Sequence, residues 1–129
     1  MAGDLIDTAV FVDALRGGEK ARDFLDAVSQ AGTALCPDVV LAELLTACRG
    51  GDEMRKVVSF VRDFMSLLYH DTEDSRVAID LRVRYRPAHG VGYHDCLLAA
   101  MALRQHAVLH SPNVKHLAVI EGLHVRRPY

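Results

Sequence analysis

A chain of 129 residues, half of them hydrophobic, is long enough to bury one sizeable core and too short to suggest two domains. A net charge of -2 excludes a protein that holds nucleic acid through an all-over basic surface, so any such contact has to be local. Cys36, Cys48 and Cys96 are odd in number, show neither CxxC nor a Cys/His zinc spacing, and read as reduced packing residues. No signal-peptide pattern opens the chain and no apolar run approaches the roughly 18 residues of a membrane span. The expectation is one domain over residues 1–129, cytoplasmic and without membrane contact.

In chain order, Leu5-Ile6 with Asp7 suits a short buried parallel strand that stops where Thr8 can cap a helix running to Arg16. Gly17-Gly18 ends that helix. Ala21, Phe24, Leu25, Ala27 and Val28 recur at helical spacing, which predicts an amphipathic helix over 19–30 stopped by Gly32. A strand is expected over 33–36, then a helix with Pro37 in its first turn that carries Val39, Val40, Leu41, Leu44 and Leu45 and ends at Gly50-Gly51. The next helix is expected over 52–68, burying Val57, Val58, Phe60, Val61, Phe64 and Met65, with a strand possible over 67–70. Thr72 and Ser75 open another helix, Pro87, Gly90 and Gly92 mark a loop, and CLLAAMAL, apolar all round, predicts a central helix from Cys96 to Leu103. Last strands are expected over 107–109 and 123–125, separated by a short helix ending near Ile120. Strands separated by helices, with no two-residue hairpin signal, point to an α/β sandwich around a mainly parallel sheet. Ligands of such folds gather at the carboxyl ends of the strands.

Three acids stand where apolar residues dominate, and each has a plain structural explanation. Asp7 can be a helix cap, although Thr8 caps equally well. Glu43 inside VVLAELLTA is either a narrow solvent-facing stripe or a paired or metal-bound carboxylate, because an uncompensated buried charge is costly. Asp95 opens the most apolar helix, where the helix dipole favours an acid. Asn113, after Ser111-Pro112, can cap a helix beginning at Val114. All four lie at or near helix starts. Carboxylates converging in one cleft repel and bind protons unless a cation neutralises them, and hard oxygen ligands suit Mg²⁺ or Mn²⁺. Such ions can activate water for phosphodiester hydrolysis.

LIDTAVFVDAL, VVLAELL, GVGYHDCLLAAMAL, HSPNVKHL and GLHVRRP, in this order, resemble the PIN domain, and in particular the VapC-like toxins of toxin–antitoxin pairs. The resemblance implies a PIN-like α/β/α sandwich and a metal-dependent endoribonuclease. It implies that Asp7, Glu43 and Asp95 bind Mg²⁺ or Mn²⁺, with Asn113 as a fourth catalytic position holding a second metal or the attacking water. An RNA substrate, a VapB-like antitoxin covering the cleft and a homodimer are implied with it. The chain departs from the family pattern at Ser111, where Thr is usual, and at His94 and Met101, neither of which is expected to touch the acids; Asp13 is a secondary acid.

The His94-Asp95 pair is also the signature dipeptide of HD-type phosphohydrolases, which need further His and Asp ligands in an all-helical domain. The arginines at 82, 84, 86, 126 and 127 are either solvated charge or RNA phosphate contacts. A PIN-like module that binds RNA or protein without cutting is the alternative to the enzyme, and Asn113 leaves it open.

Overall fold

The computed structural model describes residues 3–85 and 91–129. Five short strands form one all-parallel sheet: β1 (Asp4–Ile6), β2 (Ala34–Pro37), β3 (Ser66–Leu68), β4 (Val108–His110) and β5 (Val125–Arg126), in the order β3-β2-β1-β4-β5. β1 is central, Leu5 pairing with Leu35 of β2 on one side and with Leu109 of β4 on the other. Parallel pairing demands crossovers, and seven helices are found among the described residues: α1 (Thr8–Leu15), α2 (Glu19–Ala31), α3 (Asp38–Thr46), α4 (Gly51–Phe64), α5 (Thr72–Arg84), α6 (Tyr93–Gln105) and α7 (Val114–Leu117). An all-parallel sheet flanked by helices leaves no place for the all-helical HD alternative.

Continuous burial of Cys96 through Ala102 puts α6 in the core, as its unbroken apolar run requires, where it joins Leu5, Ile6, Val10 and Leu109. Cys36 and Cys96 are buried, and all three thiols are free. Burial pushes the Cys36 thiol up to about 12, which keeps it protonated and suits a packing role. Among the described residues no helix is long and apolar enough to cross a membrane.

Several boundaries differ from expectation, each for a local reason. Pro37 closes β2 and Asp38 takes the first helical position, so α3 starts one residue later and stops at Thr46, well before Gly50. α4 ends at Phe64 because Met65 is extended and the chain enters β3. Its apolar face is only partly covered: Val61 is buried, whereas Phe60 and Phe64 are exposed. The cap of α5 is Asp71, whose side chain accepts from the Asp74 N–H while Asp74 accepts from the Asp71 N–H, so Thr72 and Ser75 are not the capping pair. The last two strands each fall a little later than expected, ending at His110 and Arg126. Of the expected loop, Pro87 and Gly90 lie outside the described residues, as does Arg86 of the arginine cluster, while Gly92 caps α6.

Gly32 ends α2 in the left-handed region, with φ 74°, and a Cβ there would meet nothing within 4 Å. Gly32→Ala is therefore expected to cost only the backbone strain, about 1–2 kcal/mol, read as a lower urea midpoint with an unchanged slope.

Candidate active site

The strand order reverses between β1 and β4, and the crevice at the carboxyl ends of these two strands is where an open parallel sheet presents a ligand site. Asp7 follows β1, and Ser111 and Asn113 follow β4. A crossover helix leading into a parallel strand starts at the carboxyl edge, so α6 brings His94 and Asp95 there in its first turn. α3 leaves β2 from the same edge and carries Glu43 one turn inward.

One network joins all four expected residues. Asp7, 8 % exposed, is the N-cap of α1: Oδ1 accepts the Thr8 N–H at 2.7 Å and Oδ2 accepts the Ser111 hydroxyl at 2.7 Å. The expectation that Thr8 caps the helix and leaves the carboxylate free is corrected here. The Thr8 hydroxyl instead donates to Glu43 Oε1 at 3.0 Å. Ser111 Oγ accepts the Asn113 N–H at 3.0 Å, and the Asn113 amide donates to Asp95 Oδ2 at 3.3 Å. Asn113 occupies the cap position of α7, yet its side chain makes no capping bond because it is turned to Asp95. The Glu43 side chain is 50 % exposed, nearer the solvent-stripe reading, and its carboxylate reaches back to Thr8 and His94.

The expectation that His94 does not touch the acids is corrected: the first turn of α6 carries it into this network. Nε2 is buried, stands 2.9 Å from Glu43 Oε1 and 3.9 Å from Asp7 Oδ1, and has no aligned hydrogen-bond partner. At 3.9 Å the Asp7 contact is an ion pair and not a hydrogen bond. Thr8 and Ser111 were equally unexpected as supports of the acids. The signal available was a hydroxyl beside each strand-end residue, which capping alone also explains.

The electrostatics are those of crowded carboxylates. Burial, followed by the charge of Asp7, holds Asp95 above the usual carboxylate range against the pull of His94 and Asn113. Burial raises Asp7 too, but His94, Ser111 and the Thr8 N–H together outweigh it and leave its carboxyl below the usual value. Asp7 first, with Glu43 and Asp95 behind it, raises the His94 imidazole against the effect of burial. Three hard carboxylates, with a buried imidazole nitrogen against two of them, are a donor set whose chemistry fits a divalent cation. Among the described residues, no three His, Cys, Asp or Glu side chains stand at chelating distance of one point.

Asp13 takes no part: it accepts the Tyr129 hydroxyl. His110 is buried against Asp4, its Nε2 2.7 Å from Oδ1, and His106 ends α6 with a positive φ, so neither joins the site.

The pattern of the PIN domain matches residues 5–112. Ribonuclease VapC10 of Mycobacterium tuberculosis is 35 % identical over 121 residues, covering 92 % of this chain and 89 % of the relative. A toxin–antitoxin complex from Klebsiella pneumoniae contains a chain with the same fold at TM-score 0.79 and 19 % identity, covering 98 % of each chain. VapBC2 from Rickettsia felis, solved bound to a DNA fragment from its promoter, gives TM-score 0.77 at 18 % identity over 95 % of this chain and 96 % of the other. With the sheet order, the acids at its carboxyl edge and these likenesses in agreement, the chain belongs to the PIN domain family, among its VapC-type members.

Proposed function

We propose that this chain is the toxin of a toxin–antitoxin pair: a Mg²⁺- or Mn²⁺-dependent endoribonuclease that acts in the cytoplasm as a single PIN-like domain over residues 1–129. The observation that carries the reading is the meeting of Asp7, Glu43 and Asp95, from three distant parts of the chain, in one mutually repelling network. A binding module gains nothing from that repulsion. Asp7, Glu43 and Asp95 would hold the ion, which when bound supplies an activated water and charge neutralisation at the phosphate. Asp7 is fixed for this by the Thr8 N–H and the Ser111 hydroxyl, and Asp95 by the Asn113 amide. With its amide committed to Asp95, Asn113 serves best by keeping that carboxylate oriented. Hydrolysis adds water to phosphorus and breaks the bond to the leaving ribose oxygen. Arg82, Arg84, Arg126 and Arg127 are available as contacts to RNA phosphates away from the scissile bond.

The test is cleavage of a panel of structured RNAs with Mg²⁺, with Mn²⁺ and with a chelator. Metal-dependent fragments support the reading. RNA retained without fragments under every condition would instead favour the non-cutting module.

An antitoxin partner follows from the same reading, and a groove away from the acids is suited to it. This cavity of about 540 Å³ lies between α1, α2, α3 and α4, is lined by Phe11, Leu15, Leu25, Leu44 and Phe60 among others, and includes none of the four site residues. Leu15 and Phe60 are left exposed there, as they would be for an apolar antitoxin segment. Phe60→Ala is expected to weaken the antitoxin complex about 30-fold, the ~2 kcal/mol of a hot-spot aromatic, with no change in melting temperature of the free toxin. Calorimetric titration against the antitoxin checks this. Exposed Ile79 and Val83, four residues apart on one face of α5, support a homodimer through that helix.

A further inference from the structure

We propose that His94 supplies a nitrogen ligand to the ion held by Asp7 and Glu43, so that the site selects Mn²⁺ over Mg²⁺. The inference rests on the metal reading above and deepens it. Buried polar atoms in folded proteins nearly always have partners, and each exception asks for a reason. His94 Nε2 is shielded from water and makes no aligned hydrogen bond; what it meets are two carboxylates at ion-pair distance, Glu43 Oε1 at 2.9 Å and Asp7 Oδ1 at 3.9 Å. Ligands adjacent on an ion with bonds of about 2.1 Å stand about 3.0 Å apart, and opposite ligands about 4.2 Å apart. The 2.9 Å from Nε2 to Glu43 Oε1 is the adjacent separation, and the 3.9 Å to Asp7 Oδ1 lies between the two.

The backbone supports this placement. His94 sits in the first turn of α6, directly before Asp95, so one rigid helix start presents an imidazole and a carboxylate to the same crevice. Closing the donors onto a single ion requires movement mainly of Glu43, which is half-exposed and tethered only at its tip, by the Thr8 hydroxyl and the His94 ring. Asp7 is already fixed on both oxygens. Imidazole nitrogen is a softer donor than carboxylate oxygen. It favours later first-row divalent ions, whereas Mg²⁺ prefers oxygen and keeps its waters. The competing role for the same ring is that of a placeholder that neutralises the acids and must leave when an ion enters. The two roles predict opposite changes in affinity.

The experiment uses the full chain and Mn²⁺ alone, without RNA. Pulsed electron paramagnetic resonance of the bound Mn²⁺ is expected to show coupling to a directly bound nitrogen, lost in His94→Ala. Calorimetry of the same proteins is expected to show Mn²⁺ affinity falling by more than about 100-fold, beyond the range of losing an outer partner, with Mg²⁺ affinity nearly unchanged. Bound Mn²⁺ without nitrogen coupling in the wild type, coupling that persists in His94→Ala, or a variant that binds Mn²⁺ as well as or better than the wild type would each overturn the ligand role while leaving the metal site standing. A wild type that binds no Mn²⁺ would overturn both.

Discussion

Asp7→Asn is expected to reduce RNA cleavage by more than about 100-fold, beyond the range of losing a partner that merely orients a ligand. The substitution is chosen because it isolates charge. Asn is as good a helix cap as Asp, so its amide oxygen can still accept the Thr8 N–H and start α1. What disappears is the negative charge that would attract a divalent ion, and with it one of the two oxygens held by Thr8 and Ser111. Initial rates at saturating Mn²⁺, beside a thermal melt showing an intact fold, make the measurement. Undiminished cleavage would sink the role given to Asp7, whatever the other acids do.

The second large effect concerns stability and lies far from the acids. Asp74 is 2 % exposed, sits under the first turn of α5, and receives Arg104 Nε and Nη2 at 2.8 Å each, a forked pair that ties α5 to α6. Arg104 also donates to the Tyr69 carbonyl. Truncating one partner of a buried pair strands the other, so Asp74→Ala should destabilise the protein by about 3–5 kcal/mol, which for a domain of this size lowers the melting temperature by roughly 10 °C or more. Arg104→Ala should cost at least as much, since it leaves the buried Asp74 carboxylate without its cation whereas the one-third-exposed arginine can turn to water, and the double variant should cost less than the two single ones added together. Burial works against the Asp74 charge, but Arg104 and the Asp71 N–H more than offset it, leaving the carboxyl below its ordinary 3.8 in the folded state. A depressed folded pKa contributes stability that is complete above the unfolded value and lost as pH falls through the folded one. Acid unfolding below about pH 3.8 should therefore be steeper in the wild type than in Asp74→Asn. Equal melting of wild type and Asp74→Ala would show that the pair is held together by its surroundings and contributes nothing itself.

The elements were legible where local pattern suffices. A short apolar run ending in an acid marked β1, Gly32 marked the end of α2, and an unbroken apolar stretch marked α6 as central. The failures share one physical cause, that distant residues decide between neighbours of equal local merit. Thr8 and Asp7 are both good caps; Ser111, 104 residues away, donates its hydroxyl to the Asp7 carboxylate, and the Thr8 hydroxyl donates to Glu43 instead. Thr72 and Asp71 pose the same choice, settled by Arg104 on Asp74. Periodicity identified the apolar face of α4 correctly, but it could not say that this chain leaves Phe60 and Phe64 uncovered. At the candidate site the four residues expected from the sequence lie in one network, together with Thr8, Ser111 and His94. The sequence did not reveal that a histidine stands among them.

The central position of β1 has a consequence in time as well as space. The strand made first is completed on one edge by β2, some thirty residues on, but on its other edge only by β4, and β4 in turn by β5 at Val125–Arg126. Ser111, which positions Asp7, is synthesised after every helix but the last. Until β4 and Ser111 have been made, Asp7 has neither its hydroxyl partner nor the strand beside it. The crevice is thus completed only by a pairing of long sequence separation, and a chain that stops short of Ser111 carries Asp7, Glu43 and Asp95 without the hydroxyl and the strand that position Asp7.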